Sequence, residues 1–162
     1  MPFGSIPFTD NTDSLEVRFF AFHSITVIDS DGHHLYHVRR PRYKFQNLEV
    51  RRKFQELARE RQLLGEFETI DISTKKEGLA GCQVIRVWSK IITKWRPTIT
   101  MTFLATRVGD RASHLEWDFE EFEANPTLIS AKKSRRLNLH SQYPDTKFRD
   151  PTIQFKDERG TC

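Results

Sequence analysis

The stretch that decides the fold is Thr98-Ile99-Thr100-Met101-Thr102-Phe103-Leu104-Ala105, in which polar and apolar residues alternate. Successive side chains of a β-strand point to opposite faces of the sheet, so this alternation is typical of a strand with one buried face. Residues 114–119 repeat the pattern, with Leu115, Trp117 and Phe119 on one face. A Gly-Asp turn signal lies between the two stretches, which predicts that they pair as antiparallel strands.

A hairpin is predicted nearer the N-terminus. The alternating run Leu15 to Ile28 leads into Asp29-Ser30-Asp31-Gly32, and His33 to Val38 follows as the returning strand. Gly and Asp tolerate the positive φ that a tight hairpin turn requires. The other strand candidates are residues 67–72, 83–92 and 136–140.

One amphipathic helix is predicted over residues 47–65, because Asn47 is a good N-cap and Gly65 a good C′ residue. Its apolar positions, which recur at helical spacing, are Leu48, Val50, Phe54, Leu57, Ala58 and Leu64. Its charged positions are Arg51, Arg52, Lys53, Glu56, Arg59, Glu60 and Arg61. This division predicts that the helix lies on a sheet with its charged face in water.

Together these elements predict an α+β fold. We expect a strongly curved or partly closed antiparallel sheet of about six to seven strands, packed against the helix at about 47–65. Residues 1–14 are expected to form an N-terminal arm, residues 15–142 a single domain, and residues 143–162 a loosely held C-terminal tail.

Composition excludes several classes of protein. The chain of 162 residues is 30% charged, with 26 Lys and Arg against 22 Asp and Glu, and no stretch approaches the roughly 20 apolar residues of a membrane-spanning helix. The N-terminal residues lack the pattern of a secretory signal. Two cysteines, Cys82 and Cys162, do not make the disulfide framework of a small secreted domain. We therefore expect a soluble protein of the cytoplasm or nucleus.

No common catalytic motif is present: the sequence lacks a glycine-rich phosphate loop, a Gly-x-Ser-x-Gly elbow, a His-Glu-x-x-His helix and a paired Cys-x-x-Cys. If the protein is an enzyme, His114, Glu116 and Asp118 are the candidates, because they alternate on one strand face and offer an acid and a base. The same alternation is equally typical of the wet face of a half-buried strand. Cys82, which precedes an apolar strand, is expected to be buried and structural.

Tryptophans test the pocket hypothesis. Trp88 and Trp117 either line an apolar cavity into which carboxylates converge or simply fill a core. A cavity would favour a small-molecule pocket protein or cofactor-independent enzyme, and solid packing would exclude it.

Histidines cluster at His33, His34 and His37, beside Asp29 and Asp31. On a strand, His33 and His37 share a face but lie about 13 Å apart at roughly 3.3 Å per residue. That separation is too large to hold one ion through bonds of about 2 Å. We expect neither a metal site nor a cofactor.

The strongest functional signal is the basic segment of residues 39–53, in which Glu49 is the single acidic residue. Its basic members are Arg39, Arg40, Arg42, Lys44, Arg51, Arg52 and Lys53. Tyr43 and Phe45 are interleaved and offer rings of the kind that stack on bases. The run predicts a non-enzymatic interaction module that binds an acidic protein, nucleic acid or a membrane headgroup; the alternative is a solvated face that serves solubility. Nucleic-acid binding would fall steeply with salt and be lost when Arg39, Arg40 and Arg42 are reversed together.

A second basic cluster is Lys132-Lys133-Ser134-Arg135-Arg136. Such a pentamer is typical of a nuclear-localisation signal or a polyanion patch. The acidic residues from Glu116 to Glu123 lie close upstream, so the two runs are expected to neutralise each other across a hairpin or to dock a second copy. Whether the cluster is a targeting signal stays open.

Short blocks of the chain resemble uncharacterised proteins of filamentous ascomycete fungi. The blocks are Arg18-Phe19-Phe20-Ala21-Phe22, Tyr43-Lys44-Phe45, Val84-Ile85-Arg86-Val87-Trp88, Thr100-Met101-Thr102-Phe103 and His114-Leu115-Glu116. The resemblance implies an intracellular protein of fungal origin and carries no activity. The stretch Ile25 to Arg39 is also similar to a hairpin of lipid-interacting tubby-like modules.

Overall fold

The structure is a computed structural model. It describes residues 9, 11–20, 22–93, 96–107, 113–123, 126–131, 134–143 and 150–156. The chain divides into two compact units, the first from Asp13 to Arg59 and the second from Glu60 onward, with short N-terminal pieces assigned to each. Sequence analysis places residues 15–142 in one domain, and the structure divides that range between Arg59 and Glu60.

The first unit contains two small antiparallel sheets and one helix. Its elements are β1 (Glu16–Arg18), β2 (Phe22–Asp29), β3 (Gly32–Arg39), β4 (Arg42–Lys44) and α1 (Leu48–Arg59). β1 pairs with β4, and β2 pairs with β3 from Phe22↔Arg39 to Asp29↔Gly32. Gly32 has a φ of 129°, a left-handed value that glycine tolerates at no steric cost. The predicted hairpin and its turn are confirmed.

Helix α1 begins where the sequence predicts and ends earlier. The Asn47 side-chain oxygen accepts a hydrogen bond from the Val50 backbone N–H at 2.9 Å, which is the expected N-cap. The helix ends at Arg59, and Glu60 takes the left-handed conformation that follows many helices, with a φ of 52°. Gly65, predicted to terminate the helix, lies in the next strand.

Aromatic rings form the core of the first unit. Phe54 of α1 lies with its ring centroid 6.2 Å from that of Phe19, 5.3 Å from that of Tyr43 and 4.9 Å from that of Phe45. Val17 of β1 is fully buried. α1 is therefore held within its own unit, and its predicted packing on the large sheet stays a prediction.

The second unit contains an eight-stranded antiparallel sheet. Its strands are β5 (Gln62–Ser73), β6 (Gly78–Gly81), β7 (Val84–Thr93), β8 (Arg96–Ala105), β9 (Ser113–Asp118), β10 (Thr127–Ala131), β11 (Ser134–Asn138) and β12 (Thr152–Phe155), and a 3₁₀ turn covers Phe119–Glu121. The strand order is β10-β11-β12-β5-β7-β8-β9, with β6 paired to β5. The sheet is larger than the six to seven strands expected.

β8 and β9 pair antiparallel as predicted, from Thr100↔Asp118 to Ala105↔Ser113. Met101 and Phe103 of β8 and Trp117 of β9 belong to one hydrophobic core. The other members of this core are Ile72, Leu79, Ala80, Ile85, Ala105, Phe122, Leu139 and Ile153. The alternation in the two strands therefore places one face in the core, as the sequence indicates.

The C-terminal part of the chain differs from the expected loose tail. β12 lies between β11 and β5, with Ile153 opposite Leu137 on one side and Ile72 on the other. Ile153 is completely buried. Residues 152–155 are thus part of the sheet, because Ile153 adds to the core and both edges of the strand are hydrogen-bonded.

The chain is therefore an α+β protein with one helix and one large antiparallel sheet among its described residues. In that part of the chain, no helix has the length and apolar character that a membrane crossing requires.

Candidate functional site

The three candidate catalytic residues share one face of β9, as predicted. Glu116 lies opposite Thr102 and Asp118 opposite Thr100, so they face the side of the sheet away from the main core. His114 is buried there. The arrangement places a histidine and two carboxylates along one strand, but sharing a face does not make them converge.

Each carboxylate has a structural partner. Glu116 pairs with the Arg61 guanidinium, which also donates to Thr100 Oγ1 at 2.7 Å. Asp118 accepts from the Glu120 backbone N–H at 2.9 Å and so caps the 3₁₀ turn. Burial, and then the negative charge of Asp118, raises the pKa of the nearby Glu121 carboxyl. The contacts of Glu116 and Asp118 are those of a half-buried strand that is tied to its neighbours.

Trp88 and Trp117 lie on opposite faces of the sheet. Trp88 is opposite Thr100, which is opposite Asp118, whereas Trp117 is the neighbour of Asp118 and points the other way. Trp117 packs edge-on against Phe103, with centroids 4.8 Å apart, and both indoles are buried. The two tryptophans cannot line one cavity, which weakens the pocket hypothesis.

A buried ion pair in the second unit was missed by sequence reasoning. Arg86 Nε and Glu66 Oε1 are 3.0 Å apart, and their side chains are only 2% and 9% exposed. The two residues are directly opposite on β7 and β5. This ion pair can be predicted only when the register of β5 and β7 is known, because residues directly opposite each other lie on the same face of the sheet.

Cys82 is exposed, and the expectation of a buried structural thiol is wrong. The residue adopts a φ of 49° in the turn between β6 and β7, and its backbone N–H donates to Ile70 O at 2.9 Å. The backbone of Cys82 is thus fixed in the turn, and its side chain lies on the surface.

Six of the seven predicted basic residues are exposed in the first unit, namely Arg39, Arg40, Arg42, Lys44, Arg52 and Lys53. Arg42 lies 3.9 Å from Glu16, and the Arg39 guanidinium lies 5.7 Å from the Phe22 ring centroid. Within the described part of the chain, Lys44, Arg52 and Lys53 have no ion pair. The charges of Arg52 and Lys53 are therefore available to a partner, whereas the charge of Lys44 also acts on the Glu16 carboxyl.

Arg51 is the exception, and its assignment to the binding surface is wrong. The side chain is 1% exposed and donates from Nη1 to the Ser14 carbonyl at 2.8 Å. Gln55, one turn later, is also buried. Arg51 therefore joins α1 to the segment before β1 and contributes to folding.

The buried and exposed faces of α1 are the reverse of the prediction for several residues. Leu48, Val50 and Leu57 are 40%, 47% and 68% exposed. Val50 and Leu57 line an open groove of about 860 Å³, which we call the α1 groove. Its lining is Phe45, Glu49, Val50, Arg52, Lys53, Phe54, Glu56 and Leu57. The α1 groove therefore combines an apolar stripe of the helix with two cations, Arg52 and Lys53, and two carboxylates, Glu49 and Glu56.

The rings predicted to stack on bases are partly used inside the molecule. Tyr43 packs against Phe54 and its hydroxyl lies 3.2 Å from His23 Nδ1. Burial lowers the pKa of the His23 imidazole and raises that of the Tyr43 phenol. Phe45 contacts Phe54 and lines the α1 groove. Tyr43 therefore serves the core, and Phe45 contributes to the groove.

His34 and His37 of β3 contact residues of the β2–β3 hairpin. His34 lies 3.4 Å from the Asp29 carboxylate across the hairpin turn, and His37 Nδ1 lies 3.1 Å from Ser24 Oγ. Among the residues that the structure describes, no three His, Cys, Asp or Glu side chains are grouped as metal ligands.

The second basic cluster falls partly outside the described residues, because Lys132 and Lys133 are not among them. Arg135 and Arg136 are exposed on β11. Neither forms an ion pair with any acidic residue that the structure describes. The expected neutralisation by the upstream acidic run is therefore not seen for these two arginines.

Comparison of the chain with models of protein families, with curated proteins and with solved structures finds no match.

Proposed function

We propose that the protein is a non-enzymatic interaction module whose first unit binds an acidic protein segment at the α1 groove. One observation carries this proposal: α1 turns Val50 and Leu57 to the surface while it buries Arg51. This pattern is unfavourable for an isolated domain. Burial of apolar area stabilises a fold, and an exposed leucine forgoes that stabilisation. Burial of a charged arginine carries a desolvation cost. A partner that covers the exposed stripe recovers the apolar contribution.

The charges favour an acidic ligand. Residues 39–53 contain seven basic residues and one acidic residue, and Arg52 and Lys53 lie in the groove itself. Glu49 and Glu56 also line the groove, so a ligand must direct its carboxylates to the two cations. An amphipathic segment with leucines on one face and carboxylates beside them meets both requirements, as peptides bound in helical grooves do.

A protein segment fits better than nucleic acid or a lipid headgroup. Single-strand binders combine cations with exposed aromatic platforms, whereas Tyr43 here packs against Phe54. A headgroup would use the cations and leave the groove formed by Phe45, Val50 and Leu57 unoccupied. The alternative, a small-molecule pocket or enzyme, loses support because Trp88 and Trp117 face opposite ways.

We also infer that the sheet of the second unit is strongly curved. β9 and β10 are consecutive in the chain but lie at opposite ends of the strand order. Six strand spacings of about 4.8 Å separate the edges of a flat sheet by about 29 Å. The connection between the two strands covers residues 119–126 and begins with a 3₁₀ turn. With the residues after that turn fully extended, the longest distance that this connection could span is about 26 Å. A flat sheet is therefore too wide for this connection.

The test of the binding proposal is a titration of the full chain with a labelled amphipathic peptide that carries leucines at i, i+3 and i+7 and glutamates between them. We expect Arg52→Glu with Lys53→Glu to weaken binding at least tenfold. The matched control reverses Lys76 and Lys90, which are exposed in the second unit, and should change binding less than twofold. Equal losses in the two double variants would overturn the proposal.

Two further probes address the other partner classes. A DNA duplex and phosphatidylserine vesicles are titrated under the same conditions, with and without reversal of Arg39, Arg40 and Arg42. Binding of either probe that is tighter than peptide binding, and lost in the triple variant, would replace the groove proposal with a polyanion surface.

A further inference from the structure

We propose a second binding site on the outer edge of β10, where an extended acidic peptide adds to the sheet as a further strand. This site is independent of the α1 groove. β10 stands at one end of the strand order and pairs with β11 on one side. Among the described residues no strand pairs with its other side. The backbone N–H and C=O groups on that side are therefore available for a ladder of hydrogen bonds.

Pro126 directly precedes β10, but within the five residues Thr127–Ala131 the edge has no charged residue, proline or bulge. Proteins blunt such edges with charged residues, prolines or bulges. β10 reads Thr-Leu-Ile-Ser-Ala, without a charge or a proline, and its pairing with β11 runs without a register shift. Leu128 is 62% exposed and Ile129 48% exposed. An uncharged, regular edge with apolar residues on both faces is a template for strand addition.

The charge next to this edge selects an acidic ligand. Arg135 lies opposite Ser130 and Arg136 opposite Ile129, so one arginine projects on each face of the hairpin. Residues 126–138 contain four basic residues and no acidic one. An added strand would lie about 9.6 Å from β11, two strand spacings away, a distance that an arginine and a glutamate side chain bridge together. A ligand with one carboxylate on each face is complementary to this hairpin.

The other edge of the sheet does not offer an equivalent site. β9 places Trp117 and His114 in buried positions, and its Glu116 pairs with Arg61. The residues that follow, Glu120 and Glu121, add negative charge. The two edges therefore differ in exposure and in sign of charge, and β10 is the one that suits an acidic strand.

The test uses the full chain and a ten-residue peptide with the core Thr-Val-Glu-Glu-Val-Thr, which places one valine and one glutamate on each face of a strand. We expect peptide binding to slow hydrogen exchange of the backbone amides in residues 127–131. The same peptide with alternate backbone nitrogens methylated, which removes its donors, should bind at least tenfold more weakly. Failure of methylation to weaken binding would overturn strand addition.

Matched variants separate this site from the groove. Arg135→Glu with Arg136→Glu should weaken binding of the Thr-Val-Glu-Glu-Val-Thr peptide at least tenfold, whereas reversal of Lys76 and Lys90 and reversal of Arg52 and Lys53 should each leave it within twofold. Loss of binding in the Arg52 and Lys53 variant would place this peptide in the α1 groove and overturn the β10 site. Protection of residues 127–131 that rises with protein concentration, without peptide, would instead identify a second copy as the occupant and overturn the acidic-peptide proposal.

Discussion

Trp88 Nε1 donates a hydrogen bond to Thr102 Oγ1 at 2.9 Å, and both side chains are buried. Thr102→Val removes the acceptor at nearly constant volume, so the indole loses this bond in a buried site. We expect the variant to lower the free energy of unfolding by about 1–3 kcal/mol and Thr102→Ser, which keeps the hydroxyl, to lower it less. Urea unfolding followed by tryptophan fluorescence measures both, and a larger loss for the serine variant would contradict the argument.

The buried pair Arg86 and Glu66 should be far more sensitive than a surface pair. Glu66→Gln leaves the guanidinium of Arg86 without its carboxylate in a site where it is 2% exposed, and breaking a buried pair costs about 3–5 kcal/mol. Lys75 pairs with Asp150 at 2.8 Å but its side chain is 78% exposed, so Lys75→Gln should cost about 0–1 kcal/mol. The urea midpoints of the two variants give the comparison, and similar midpoints would refute it.

Arg51 and Arg52 are neighbours with opposite roles. Arg51→Ala removes the bond to the Ser14 carbonyl and empties a buried position, so we expect the first unit to lose about 2 kcal/mol or more. Arg52→Ala changes an exposed side chain and should stay within about 0.5 kcal/mol. All three tryptophans lie in the second unit, so hydrogen exchange of the α1 amides is the appropriate measurement. Faster exchange in the Arg52 variant than in the Arg51 variant would show that the burial pattern of α1 is wrong.

Leu57 tests the same helix from its apolar side. Leu57→Ala should change stability by no more than about 0.5 kcal/mol, because the side chain is 68% exposed. Leu63, 4% exposed in β5, provides the contrast, and Leu63→Ala should cost about 2–5 kcal/mol. If Leu57→Ala cost as much as Leu63→Ala in thermal unfolding, the leucine would be part of the core and the α1 groove would not be open.

Acid should weaken the second unit through Glu68. The hydrogen bond from Lys156, together with bonds from Thr12, lowers the pKa of the Glu68 carboxyl against an opposing effect of burial. A carboxyl with a lowered folded-state pKa stabilises the protein above its ordinary value of 4.5, and this contribution is lost as the pH falls through the folded-state pKa. We expect Glu68→Gln to flatten the loss of stability below about pH 4.5. Glu77→Gln, at an exposed position, is the control, and parallel curves for both variants would refute the role of Glu68.

Local patterns in the sequence predict local pairing well. The Asp-Gly turn between β2 and β3, the cap at Asn47 and the antiparallel pair β8 and β9 all follow from signals within a few residues of each other. The alternation around Phe103 also identifies the core face. These features could be predicted because turn chemistry and side-chain alternation act over short distances in the chain.

Features that depend on distant residues could not be predicted in the same way. Periodicity assumes that the apolar face of a helix is the buried one, and α1 breaks this rule by burying Arg51 and Gln55. β12 has only four residues, and its burial depends on β11 and β5. Ile153 and Phe155 alternate with Thr152 and Gln154, which is a short local sign of a strand. Of the basic run, exposure could be inferred for most members, but the burial of Arg51 depends on its contact with Ser14.

The position of β12 affects how the second unit is made. During synthesis β5 and β11 leave the ribosome before the strand that must lie between them, so each exposes an open edge until residue 155 has emerged. Contacts between residues so far apart in sequence form slowly, and open edges pair readily with other chains. Nascent chains are therefore expected to need protection from aggregation late in translation. A chain that stops before Thr152 would keep both edges open permanently.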